Sequence, residues 1–116
     1  MKLYGIPNCD TVKKARTWLD EQGHTYEWHD YKKQGVSAEL LQDWITHTGW
    51  EPLVNRQGTT WRKLDEATKA SVVDAQSAIA VMLAQPSVIK RPVLERNGQI
   101  TVSYKPELYA ALFDGS

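Results

Sequence analysis

The chain has 116 residues, enough for one compact domain with its own hydrophobic core and too few for two. Its 14 basic and 14 acidic residues give a formal net charge of zero at pH 7, which argues against a general binder of nucleic acid or of an anionic membrane surface. No apolar run reaches the ~20 residues of a membrane span and no signal-peptide pattern is present, so we expect a cytoplasmic protein.

The first part of the chain predicts a strand, a helix and a second strand. The short apolar run 2–6 favours a strand, and apolar residues at helical spacing then predict a helix from about Asp10 to Gly23. A second strand is predicted over residues 25–29. Because a helix connects the strands, we expect them to be parallel, with Cys9 at the carboxyl end of the first, where ligands bind in open α/β sheets.

Cys9 is the only cysteine of the chain. A thiol at a helix N-terminus faces unpaired backbone N–H groups and the positive end of the helix dipole, which favours the thiolate and lowers the pKa. The polar, turn-forming residues 6–11 favour a nucleophile over the alternative, a buried and inert cysteine. Because a single cysteine cannot form an intramolecular disulfide, any redox cycle must be completed by a thiol of another molecule.

The middle of the chain predicts helices and no strand. Ser37 is suited to cap a helix that ends at Gly49, and Asp74 is suited to cap another that ends before Pro86. The polar region between these helices predicts only short helical turns. We therefore expect a helical insert over about residues 36–86.

The last part of the chain predicts a hairpin and a closing helix. Asn97-Gly98 is a strong hairpin signal, which pairs residues 93–95 with residues 100–103 in antiparallel fashion. Pro106 is a favoured first residue of a helix. The residues of this helix that we expect to face inward are Leu108, Leu112 and Phe113.

The order of these elements predicts an α/β protein with a mixed four-stranded sheet and helices on both faces. This is the thioredoxin-like layout, here with a helical insert after the second strand. We expect residues 1–116 to form a single thioredoxin-like domain.

Three separated motifs resemble those of a known family. They are GIPNCDTVKKA at residues 5–15, RQGTTWRKL at residues 56–64 and IKRP at residues 89–92. Together they resemble the arsenate reductase (ArsC) family of the glutathione-coupled type, and most closely its small bacterial branch of thiol reductases, which neighbours the Spx regulators. The resemblance extends over essentially the whole chain.

The resemblance implies a glutathione-dependent thiol/disulfide reductase in which Cys9 forms a mixed disulfide with glutathione. Glutathione is then a co-substrate, no cofactor is bound, and glutaredoxin or a glutathionylated substrate is the further partner. The family's three anion-binding arginines fall on Arg56, Arg91 and Lys105. Because lysine lacks the bidentate fork of arginine, the departure at Lys105 argues against efficient arsenate turnover and leaves glutathione chemistry open.

Other cations are available to a thiolate nucleophile, which needs one nearby. Lys13 and Lys14 lie in the first turns after Cys9, where they either bind an anion or form a solvated helix face. Of the two, Lys13 joins the predicted anion- and glutathione-binding residues. Arg62 and Lys63 are further alternatives, although an exposed helical face is the commoner role of such a pair.

The Arg91-Pro92 bond is a separate prediction. Only about 5–6% of X-Pro bonds in folded proteins are cis, so the sequence alone favours trans. The resemblance implies the cis form, with backbone beside the cysteine that pairs with glutathione as an added strand, and it places Pro92 in the binding site. The alternative is a simple edge-strand proline.

Histidine and tryptophan patterns argue against other ligands. The three histidines have no metal-binding spacing, and the five tryptophans are scattered without interleaved basic residues, which favours packing over a nucleic-acid platform. We expect no metal, no nucleic-acid or membrane partner, and a monomer.

The alternative function is an Spx-like regulator that binds RNA polymerase. Such regulators use a Cys-x-x-Cys pair as a redox switch, but the position three after Cys9 is Val12. The switch cannot form in this chain, which favours the enzyme. Binding without the switch stays open, and it would depend on residues 36–74 rather than on Cys9.

Overall fold

The structure is a computed structural model, and it describes residues 1–114. Its strands are β1 Lys2–Gly5, β2 Glu27–Asp30, β3 Val93–Arg96 and β4 Gln99–Val102. Its α-helices are α1 Asp10–Glu21, α2 Tyr31–Gln34, α3 Ala38–Thr48, α4 Thr59–Arg62, α5 Glu66–Ser71, α6 Ala75–Ala84 and α7 Pro106–Phe113. Two 3₁₀ turns span Glu51–Leu53 and Pro86–Val88.

The chain forms two compact units. Among the described residues, the first consists of Met1–Asp30 together with residues 91–114, and the second is Tyr31–Lys90. The second unit contains the predicted insert 36–86 and extends beyond it at both ends. That the whole chain forms a single domain stays a prediction.

The first unit contains a mixed four-stranded sheet in the order β2-β1-β3-β4. β1 is parallel to β2 and antiparallel to β3, and β3 pairs with β4 in antiparallel fashion. Asn97 and Gly98 both adopt positive φ, 50° and 76°, as a tight turn between β3 and β4 requires. The predicted parallel pair, hairpin and four-stranded mixed sheet are confirmed.

The core of the first unit lies where α1 and α7 pack on the sheet. Its fully or almost fully buried members are Leu3, Ala15, Leu19, Leu94 and Tyr109. Leu112 and Phe113 pack against this cluster as predicted, but the prediction for Leu108 is wrong, because its side chain is 37% exposed. Residues 109, 112 and 113 form one stripe at helical spacing, and Leu108 lies about 100° around the helix from Tyr109, outside that stripe.

The packing of α1 on β1 depends on Gly5. A Cβ atom on Gly5 would lie only 2.9 Å from Cγ2 of Val12, whose side chain is fully buried. Because Gly5 has no side chain, the first turns of α1 approach the carboxyl end of β1 closely. The intervening turn is closed by the backbone N–H of Cys9, which donates to the carbonyl of Ile6 at 3.3 Å.

The second unit is helical, as predicted. The hydroxyl of Ser37 accepts a hydrogen bond from the backbone N–H of Leu40 at 3.1 Å, and Asp74 and Ser77 form a capping box at the start of α6. No helix among the described residues is both long and apolar enough to cross a membrane.

Candidate active site

Cys9 is the N-cap residue of α1. Its backbone is extended, with φ −99° and ψ 125°, and its carbonyl accepts the first helical hydrogen bond from the N–H of Lys13 at 2.9 Å. The N–H groups of the three intervening residues therefore have no acceptor within the helix. The side chain of Cys9 is partly exposed. A reagent can thus reach a sulfur that lies beside backbone N–H groups with no acceptor in the helix.

The environment of Cys9 favours the thiolate. Burial raises the pKa of the thiol, but hydrogen bonds from the backbone N–H of Val12 and from the side chain of Arg91 lower it. The charge of Arg91 and the backbone N–H of Thr11 lower it further. The lowering prevails, so the pKa of Cys9 lies below its ordinary value and the thiolate is more abundant at neutral pH.

Arg91 and Pro92 lie immediately before β3, in the same unit as Cys9. The side chain of Arg91 is partly buried, and Pro92 is buried with its carbonyl accepting a hydrogen bond from the N–H of Ser103 at 2.8 Å. The Arg91-Pro92 bond is cis, as the resemblance implies and contrary to the trans form that the sequence alone favours. Contact of Pro92 with a ligand stays a prediction.

Lys13 and Lys105 line the same open groove, which has a volume of about 500 Å³. We call it the lysine groove. It runs along one face of α1 and is closed on its other side by the start of α7. Its lining residues include Thr11, Lys13, Lys14, Trp18, Tyr104 and Lys105. The structure therefore brings two predicted anion-binding residues together with Lys14, a residue that the sequence left undecided.

Arg56 belongs to the second unit and is exposed. Its guanidinium carbon lies 5.5 Å from the ring centroid of Trp50 and 6.0 Å from that of Trp61, within the range of cation–π attraction. Sequence reasoning missed this role of the two tryptophans. The available signal was that Trp61 belongs to the same motif as Arg56. The part of Arg56 in anion binding stays a prediction, as it does for Lys13 and Lys105.

No set of three or more His, Cys, Asp and Glu residues within residues 1–114 is arranged to hold a metal ion. Two of the histidines contact aromatic rings instead. His24 stacks on Phe113 with ring centroids 4.0 Å apart, and His29 lies 4.9 Å from the ring of Tyr4.

A sequence model of the ArsC family matches residues 4–112, nearly the entire chain. The chain belongs to the ArsC family. It is 40% identical over 111 residues to an uncharacterized protein of Haemophilus influenzae, with 96% of each chain covered.

Solved structures agree with this assignment. A protein named YFFB is 57% identical, with a TM-score of 0.90 over 95% of this chain and 96% of the other. An arsenate reductase (ArsC) related protein from Brucella melitensis is 54% identical, with a TM-score of 0.76 over 97% and 93% of the two chains. The fold is therefore the thioredoxin-like fold of the ArsC proteins, as predicted.

Similarity to the Spx regulators is lower. The global transcriptional regulator Spx of Streptococcus mutans is 22% identical over 107 residues, which cover 90% of this chain and 77% of the regulator. The chain is thus similar both to arsenate reductase-like proteins and, at lower identity, to Spx.

Proposed function

We propose that this ArsC-family protein is a glutathione-dependent thiol/disulfide reductase whose nucleophile is Cys9. The proposal rests chiefly on one observation: the Arg91 side chain and the N-terminus of α1 lower the pKa of a partly exposed thiol. A nucleophilic thiol requires this combination of access and low pKa, and an inert core cysteine has neither.

The reaction begins when the Cys9 thiolate attacks the glutathione sulfur of a mixed disulfide R–S–S–G. The S–S bond of the substrate breaks, its electron pair leaves with R–S⁻, and a new S–S bond joins Cys9 to glutathione. A glutathione thiolate then attacks the glutathione sulfur of this adduct. Glutathione disulfide is released and the Cys9 thiolate is restored, so each R–S⁻ released consumes one free glutathione, and the other half of the glutathione disulfide comes from the substrate.

The positive residues have separate roles in this proposal. Arg91 stabilises the Cys9 thiolate before attack and when it leaves in the second step. Arg56 binds a carboxylate of glutathione, and Lys105 and Lys13 bind anionic groups of the disulfide substrate. A lysine at position 105 is adequate for binding a carboxylate. The set of three arginines that the resemblance implies for arsenate binding is incomplete here, so we propose a disulfide rather than arsenate as the preferred substrate.

A cytoplasmic location fits this chemistry, because the glutathione pool of that compartment keeps single thiols reduced. Glutaredoxin is an alternative acceptor for the second step, since its own thiolate can attack the same glutathione sulfur. The reaction needs no second subunit, which agrees with the expectation of a monomer.

The test is the rate at which Cys9 takes up one glutathione from glutathione disulfide, followed by intact mass over a range of pH and concentration. We expect fast, saturable uptake with an apparent thiol pKa below the ~8.5 of free cysteine, and none in Cys9→Ser. Slow uptake without saturation, like that of a free thiol, would overturn the proposal. Partner binding through the second unit, as in Spx, would then become the function to examine.

A further inference from the structure

Positive charge is concentrated in the lysine groove, although the chain as a whole has no net charge. Lys13, Lys14 and Lys105 are all exposed, and none of them forms an ion pair within residues 1–114. The one carboxylate that lines the groove is that of Glu21, at the far end of α1. Three unpaired cations against one carboxylate favour an anionic occupant.

The positive ends of two helices add to this charge. Thr11 lies in the first turn of α1, and Lys105 is the N-cap residue of α7, where its side chain forms no capping hydrogen bond. Helix N-termini attract anions through their unpaired N–H groups and their dipoles. Each of these first turns also contains an acidic residue, Asp10 in α1 and Glu107 in α7, so the excess of positive charge in the groove rests chiefly on its three lysines.

The floor of the groove is aromatic and firmly packed. The rings of Trp18 and Tyr104 both line it, and both make edge-to-face contacts with the fully buried Tyr109, at centroid distances of 5.7 and 4.7 Å. Burial, and then the carboxylates of Glu107 and Glu21, raise the pKa of Tyr104, so its hydroxyl remains a donor at neutral pH. A flat apolar floor with basic edges suits a peptide better than it suits a small inorganic anion.

The length of the groove also suits a peptide. Thr11 and Glu21 lie ten residues apart on α1, which corresponds to about 15 Å along the helix axis. An extended peptide advances about 3.3 Å per residue, so the groove accommodates four or five residues. Its near end begins at Thr11, two residues after Cys9, where the chain that flanks a reacting disulfide would lie.

We propose that the lysine groove binds an acidic segment of a glutathionylated protein, next to the cysteine that is to be released. The substrate class is then protein mixed disulfides with Asp or Glu within about four residues of the modified cysteine. This inference rests on the proposed function, because the segment is placed by the disulfide that Cys9 attacks. The glutathione half of the substrate lies on the other side of the disulfide bond that breaks, toward Arg91.

The first experiment measures binding without chemistry. The ligands are two labelled eight-residue peptides with Ser in place of the central cysteine. The acidic peptide has Asp and Glu at the flanking positions, and the amide peptide has Asn and Gln there. We expect the acidic peptide to bind the wild-type protein at least about fivefold more tightly at low salt, as several exposed ion pairs allow. Added salt should reduce this ratio.

Charge variants locate the binding. Lys14→Gln should reduce the acidic-to-amide ratio about two- to threefold, and Lys14→Glu should remove it. Lys2→Gln is the matched control, because Lys2 is exposed in the same unit but lies at the amino end of β1, and its partner is Glu27 at 3.7 Å. The inference would be overturned if the wild-type protein bound the two peptides equally, or if Lys2→Gln reduced the acidic-to-amide ratio as much as Lys14→Gln does.

The second experiment uses the same peptides with a glutathionylated central cysteine and measures glutathione transfer to Cys9 by intact mass. Faster transfer from the acidic peptide, reduced in Lys14→Gln, is the expected result. Fast transfer that is independent of the flanking charge would overturn the inference and leave the proposed function in place. Preferential binding with transfer no faster than that of a free thiol would overturn the proposed function, and the substrate assignment with it.

Discussion

The side chain of Arg91, two residues before β3, lowers the pKa of the thiol of Cys9, the residue before α1, through a hydrogen bond and through its charge. Burial raises the pKa of this thiol, whereas the backbone N–H of Val12 and both the hydrogen bond and the charge of Arg91 lower it, and the lowering prevails. Because β1 and β3 pair directly, the sheet itself holds these two segments side by side. The reactive thiol is thus a product both of the helix N-terminus that follows Cys9 in the sequence and of the strand pairing that brings Arg91 beside it.

Removal of Arg91 should make Cys9 less reactive near neutral pH. In Arg91→Ala the thiol keeps the burial that raises its pKa and loses two of the effects that lower it, so the pKa rises. The rate of alkylation by iodoacetamide follows the thiolate fraction, and its midpoint should move to higher pH. Each unit of pKa rise reduces the rate at pH 7 about tenfold.

Two further variants make this result specific to Arg91. Arg91→Lys keeps the charge and loses the planar fork, so its midpoint should lie between those of the wild type and Arg91→Ala. Arg96→Ala removes an arginine whose guanidinium packs 4.5 Å from the ring of Phe113, and it should leave the profile unchanged. An unchanged profile in Arg91→Ala would contradict the assignment.

The depressed pKa of Cys9 should also appear in the pH dependence of stability. The folded-state pKa lies below that of the unfolded chain, so ionisation of the thiol stabilises the fold fully above the unfolded pKa, about 8.5, and this contribution is lost as pH falls through the folded pKa. The free energy of unfolding of the wild type relative to Cys9→Ser, measured with urea, should therefore increase with pH across that window and then level off. A difference that stays constant from pH 6 to 9.5 would mean that the two pKa values are equal.

The close approach of β1 and α1 predicts a strong coupling between Gly5 and Val12. In Gly5→Ala the new methyl group would lie 2.9 Å from Cγ2 of Val12, a stiff β-branched side chain, so α1 must shift. Overpacking of this kind costs about 1–3 kcal/mol of the free energy of unfolding, which urea denaturation measures. A shift of α1 should also change the pKa of Cys9, because the backbone donors to the thiol belong to the first turn of that helix.

A double-mutant cycle separates this contact from the conformational effect of replacing glycine. Val12→Ala alone removes buried methyl groups and destabilises the fold, but combined with Gly5→Ala it provides the space that the new methyl group needs. The double variant should therefore be more stable than the sum of the single effects predicts, by about 0.5–3 kcal/mol. Additive effects would show that the Gly5–Val12 contact is not the cause.

The predictions from sequence that succeeded depend on local signals. The Asn97-Gly98 turn, the Ser37 and Asp74 caps and the helical spacing after Asp10 each involve residues only a few positions apart, and the structure confirms the elements they predict. The predicted position of Cys9 is right for the same reason. Local chemistry determines where an element begins and ends.

The predictions that failed, or that could not be made, depend on how elements pack. The sequence predicts Leu108 inside together with Leu112 and Phe113, and only the packing of α7 on the sheet shows that Tyr109 points inward instead. The meeting of Lys13 and Lys105 in one groove joins residues from the two ends of the chain. No local pattern indicates such an encounter, and the cis Arg91-Pro92 bond was expected only from the family resemblance.

The assignment of Arg56, rather than Arg62, to glutathione binding leads to a direct comparison of the two residues. Both are exposed in the second unit, but only the guanidinium of Arg56 lies over tryptophan rings, those of Trp50 and Trp61, which limits its motion. Arg56→Ala should raise the concentration of glutathione disulfide that gives half-maximal uptake by about fivefold, the value of one exposed ion pair at its upper limit. The pH profile of Cys9 alkylation should not move, because Arg56 is not among the groups that lower that pKa.

Arg62→Ala is the matched control for Arg56→Ala. The carbonyl of Arg62 accepts a hydrogen bond from Nζ of Lys69 at 3.2 Å, and that contact survives truncation of the side chain. Half-maximal uptake in Arg62→Ala should therefore stay close to the wild-type value. If Arg62→Ala shows the larger increase, the second cation of the RQGTTWRKL motif binds glutathione, and the correspondence of Arg56 with a family arginine has no functional counterpart in this protein.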